Sequence, residues 1–115
     1  MVKDPDLINS ITNELLQLLN ERISVDKIIL FGSYATGQNT SNSDVDYIIT
    51  SKAFRNKNVF EISDMTKNIE YILINKFLLP FDLLYYSDLE WDLSNSIPIN
   101  EAKRHGILQY SSDSH

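Results

Sequence analysis

At 115 residues the chain is the size of one small domain, and it has no cysteine, which excludes disulfide scaffolds, thiolate zinc sites and cysteine nucleophiles. Ten basic residues against 16 acidic give a formal charge of −6, so a long DNA or RNA substrate is disfavoured by repulsion and by the few counterions its binding would release. No stretch approaches the roughly 20 apolar residues of a bilayer span, and residues 1–22 alternate charge with leucine unlike a leader peptide; a cytoplasmic protein with no membrane partner is the expectation.

Asp4-Pro5 opens the first predicted helix, with Asp4 as N-cap and Pro5 at the first helical position, where its missing amide costs nothing. Leu7, Ile11, Leu15 and Leu18 or Leu19 form one apolar face, which carries the helix to about Arg22. Lys27 to Phe31 is short, β-branched and apolar and ends at Gly32, as a buried strand feeding a tight turn would. Gly32 lets a backbone approach a bound anion closely, and Ser33 adds a hydroxyl donor; the pair reads as a phosphate loop for a triphosphate. Ser33 to Thr36 suits one brief helix, and Gly37 to Ser43 is a polar, turn-rich loop.

The second strand is expected over about 44–50. Val45, Tyr47 and Ile49 face one side, and Asp44, Asp46 and Ile48 the other. Two carboxylates on one face, with no other protein ligand nearby, suit a hard cation such as Mg²⁺ that keeps positions open for water and substrate phosphate oxygens. Phosphate loop and paired carboxylates together point to nucleotidyl transfer. Ile62, Met65, Ile69, Ile72 or Leu73, and Lys76 or Phe77 recur at helical spacing, predicting a second long helix between Val59 and Phe77. Pro80 ends it, and Phe81 to Tyr86 reads as strand three, in which a lone Asp82 is costly to bury unless it is paired or coordinates a cation. Asp82 is therefore the third carboxylate candidate. A loop carrying Trp91, a helix from about Ile99 to His105 stopped by Gly106, and a last strand Ile107 to Tyr110 complete a single domain over 1–115, with 111–115 expected as a disordered tail.

Gly32-Ser33, then Asp44-x-Asp46 after ten intervening residues, then Asp82 on a later strand resembles the signature of the polymerase-beta-like nucleotidyltransferase superfamily, and in particular its minimal nucleotidyltransferase (MNT) branch. The ending from Glu101 to Tyr110 looks like the family's closing helix and strand, so the resemblance covers about residues 7–110. It implies an α/β (α+β) nucleotidyltransferase core: a small mixed sheet, helices packed mainly on one face, and the carboxylate site open at the other. It also implies ATP as donor and two Mg²⁺ ions, bridged by Asp44 and Asp46, with Asp82 on the acceptor side as ligand or general base and Gly32 and Ser33 on the β and γ phosphates.

Stand-alone MNT proteins resemble antitoxins paired with HEPN-domain RNase toxins, and some transfer AMP to a toxin tyrosine. Such a partner, held in a hetero-oligomer, is the acceptor that the resemblance implies. The alternatives are a non-enzymatic antitoxin that occludes its partner and an antibiotic-type transferase completed by a separate helical subunit. Many relatives carry Arg where this chain has Thr36, which leaves Lys52, Arg55 and Lys57 as the basic residues available to take its place. Lys103, Arg104 and His105 read as charges meeting a helix dipole, His105 has no companion ligand for zinc, and Phe81, Tyr85, Tyr86 and Trp91 read as core or interface aromatics.

Overall fold

Helix α1 (Pro5–Asn20) starts at the Asp4 N-cap, whose carboxylate accepts from the Leu7 amide at 3.1 Å. Its buried stripe is Ile8, Ile11, Leu15 and Leu19, so Leu19 rather than Leu18 closes the face. A computed structural model describes residues 1–113, and Ser114 and His115 of the expected tail lie outside the described residues. Strands β1 (Lys27–Phe31), β2 (Val45–Thr50), β3 (Phe81–Tyr86) and β4 (Ile107–Ser111) form one mixed sheet in the order β3-β2-β1-β4. β1 is antiparallel to β2 and β4, whereas β2 and β3 are parallel. A parallel pair needs a crossover, and α3 (Val59–Met65) with α4 (Ile69–Phe77) supplies it. The remaining helices are α2 (Ser33–Thr36), α5 (Asp88–Leu93) and α6 (Ile97–His105).

Three expectations change. The long helix over 59–77 is two helices, because Asn68 adopts a left-handed backbone (φ 70°) between them and the intervening Thr66-Lys67-Asn68 is polar. Trp91 sits on a helix rather than a loop: Ser87 and Glu90 cap α5 reciprocally, side chain to amide in both directions. The last strand runs on through Ser111, which is buried and pairs with Lys27, so order reaches into the expected tail.

Alternation along the strands splits the interior in two. Ile28, Leu30, Val45, Tyr47, Ile49 and Leu83 face α1 and α4, the main core, where each fully buried Leu or Ile contributes about 2 kcal/mol. The Tyr47 hydroxyl is satisfied there by Thr12 Oγ1 at 2.9 Å. Ile29, Phe31 and Ile48 face the other way and are covered by Ile99 and Ala102 of α6, with Leu84, Tyr86 and Trp91 at the margin. Asp46 shares that second face, next to the part α6 covers.

Candidate active site

The site begins where β1 ends. Gly32 has φ 70° and caps α2, a conformation that disfavours any residue with a Cβ. A methyl group there would overlap the Asp46 carboxylate, so the bare backbone of the turn lies directly against that side chain. Phe31 is the register partner of Asp46 on β1, and Asp82 is its partner on β3. Partners on neighbouring strands point to the same face, so turn, Asp46 and Asp82 form one row across the sheet, spaced by strand separations of about 4.8 Å. Asp44 precedes β2 by one residue and reaches the same neighbourhood.

Electrostatics register this crowding. Burial first, then the charges of Asp82 and Asp44, push Asp46 up from 3.8 to about 6. Asp82 itself is exposed. Among the described residues no three acidic or imidazole side chains converge closely enough to hold an ion as they stand. The donor set still fits a hard divalent cation: it is all oxygen, mutually repulsive and partly withdrawn from water, so a cation would relieve a strain already present. Ser33 opens α2, and its carbonyl accepts the Thr36 hydroxyl at 3.3 Å.

The structure does not bring the substitute cations to this row. Lys52, Arg55 and Lys57 follow the far end of β2, and Thr50 already lies about 13 Å along the strand from Asp46. Arg55 is occupied there by a two-pronged bond to Asp88, at 2.8 and 2.6 Å. Lys3 instead reaches the polar loop that follows α2, where its ammonium donates to the Asn39 carbonyl at 2.7 Å. Nothing in the sequence pattern announces it, since 36 residues separate the two.

A glycine turn set against one carboxylate, with a second carboxylate beside it, is an arrangement that suits a phosphate group and a hard cation side by side. The chain matches the nucleotidyltransferase domain over residues 12–105 and belongs to that family. Among known proteins, it is 34% identical over 65 residues to a candidate protein adenylyltransferase of Methanocaldococcus jannaschii, covering 56% of this chain and 62% of that protein's length. The fold is similar to a toxin–antitoxin complex with AMP-PNP (TM-score 0.64, 19% identity, 88% of this chain and 73% of that one). It is also similar to a candidate nucleotidyltransferase from Sulfolobus solfataricus (TM-score 0.60, 17% identity, 92% and 82%). A third likeness is to a tri-AMPylated Shewanella oneidensis HEPN toxin in complex with MNT antitoxin (TM-score 0.54, 17% identity, 90% and 71%). At these identities the structural likeness is one of fold.

Proposed function

We propose that the chain is a Mg²⁺-dependent protein adenylyltransferase that moves AMP from ATP to a hydroxyl, a tyrosine of a HEPN toxin, and so acts in the cytoplasm as that toxin's antitoxin. The observation that carries the reading is the single row from Gly32 through Asp46 to Asp82, along which a donor at the turn and an acceptor beside Asp82 would lie at opposite ends of one line. Family membership, the adenylyltransferase relative and the MNT–HEPN fold likeness support the choice of reaction and partner.

In this reading the Gly32 turn and the Ser33 hydroxyl hold the β and γ oxygens of ATP, Asp44 and Asp46 hold the metal, and Asp82 completes the acceptor side. Bound Mg²⁺ supplies charge stabilisation for an in-line displacement at the α-phosphorus. The acceptor oxygen bonds to that phosphorus, the bond to the bridging oxygen of the β-phosphate breaks, pyrophosphate leaves and the hydroxyl proton passes to water. Incubation with α-labelled ATP, Mg²⁺ and the toxin should label the toxin; no label on a verified binding partner would overturn the proposal.

Occlusion without catalysis is the second reading, favoured by Thr36, whose hydroxyl is turned back onto Ser33 and leaves that position of the loop without a charge. An Asp44→Asn, Asp46→Asn double variant separates the two. Occlusion survives the loss of the carboxylates, whereas AMP transfer does not.

A further inference from the structure

β3 is an edge strand, and its outer side is open. Val45 N–H donates to the Pro80 carbonyl at 2.9 Å and Ser51 N–H to the Tyr86 carbonyl at 3.1 Å, which fixes the even-numbered residues of this stretch as those bonded to β2. The amides and carbonyls of Phe81, Leu83 and Tyr85 therefore point outward, and among the described residues they have no other hydrogen-bond partner. Proteins normally blunt such an edge with charge, proline or cover, because it templates pairing with another chain. Here it borders a groove of about 380 Å³ whose lining is mainly apolar, Val59, Ile62, Leu83, Leu84 and Tyr85 with the hydroxyls of Ser63 and Thr66, and α3 presents Val59 and Phe60 at 78% and 84% exposure.

We propose that the acceptor docks as an extended segment on the free edge of β3, its hydroxyl-bearing residue beside Asp82 and its two neighbours in the groove between α3 and β3. The inference rests on the protein-acceptor reading above and deepens it. Strand alternation does the positioning: a docked residue paired beside Asp82 turns its side chain to the face that holds Asp82 and Asp46, extending the row by one strand. The residues before and after it turn to the opposite face, where the groove is mainly apolar. The recognised pattern is thus apolar, tyrosine, apolar. The other edge, β4, also exposes an apolar side chain, Leu108, but β1 and β2 lie between it and Asp82, so a segment docked there could not deliver a hydroxyl to the row.

The test is an array of nine-residue peptides with a central tyrosine and every residue type at the flanking positions, incubated with the full chain, Mg²⁺ and α-labelled ATP. Label should concentrate on peptides with apolar flanks, and Val59→Glu, an exposed change at the start of α3, should cut that label about tenfold or more while ATP affinity stays that of the wild type. A best-labelled peptide added to isotope-labelled protein should slow amide exchange at Leu83 and Tyr85 about tenfold, without slowing it further at Leu84, which β2 already protects. Label indifferent to the flanks, or peptides bound without protection at Leu83 and Tyr85, would overturn the proposal. Protection that depends on protein concentration without peptide would also overturn it, since a second copy of the chain would then be the occupant. If no peptide is labelled but the folded toxin is, strand docking fails and the transfer reading stands. If neither is labelled, the transfer reading is what fails.

Discussion

Asp46 holds its negative charge half-buried and within reach of two others, so the metal-free fold is least comfortable when the residue is ionised. The folded pKa, about 6, lies above the ordinary carboxylate value of 3.8; the protonated form therefore stabilises the fold below about pH 4, and that contribution is lost as pH rises through 6. With chelator present, Asp46→Asn should raise the stability of the fold at pH 7 by about 1–2 kcal/mol after discounting for solvent screening. Urea denaturation at pH 7 and pH 4 checks it, because the gain should vanish at the lower pH. The same variant should lose AMP transfer, trading function for stability at one atom. Gly32→Ala tests the neighbouring residue in the opposite sense. Its left-handed backbone and the overlap of a methyl with the Asp46 carboxylate should cost about 1–3 kcal/mol, and nucleotide binding, followed by calorimetry, should weaken with it.

The elements that position these residues were legible to different degrees, for physical reasons. β1, α2 and β3 fall on their expected bounds because a β-branched apolar run ending at glycine, or following proline, has few alternatives. Helices α3 and α4 read as one because Ile62, Met65, Ile69 and Leu73 keep helical phase across the break, and phase says nothing about a single residue turning left-handed at Asn68. Asn is among the few residues that tolerate that turn, so Asn68→Val should destabilise by about 1–2 kcal/mol in urea denaturation and Asn68→Gly should not. Helix α5 carried a readable signal that hydrophobic spacing passes over: Ser87-Asp88-Leu89-Glu90 is a capping box. Ser87→Ala should cost about 1 kcal/mol and unsettle Trp91, and the fluorescence of that lone tryptophan reports the change directly.

At the scale of the molecule, the sequence carries the members of the site but not the row they make. Asp46 and Asp82 are 36 positions apart, and only the parallel register of β2 and β3, set by a crossover whose own shape is misread, makes them neighbours. Net charge, by contrast, is fully legible, and three of the ten basic residues are held in ion pairs. Arg55 is tied to Asp88, Lys27 to Asp26 at 3.2 Å and Lys76 to Glu14. A cavity of about 780 Å³ at the far end of the sheet is bordered by four carboxylates, Asp26, Asp88, Asp92 and Asp113, against two lysines, Lys27 and Lys52. A polyanion therefore meets a surface of net charge −6 on which several cations are already paired, whereas a mononucleotide brings its charge as a metal complex. Double-stranded DNA of about 20 base pairs should accordingly bind more weakly than about 10⁻⁴ M in low-salt anisotropy titrations, outside the usual range even for non-specific binders. Added at that concentration it should leave AMP transfer unchanged, whereas pyrophosphate, the leaving group, should inhibit. Micromolar DNA binding that weakens steeply with salt would mean that a basic surface exists which neither the sequence nor the fold displays.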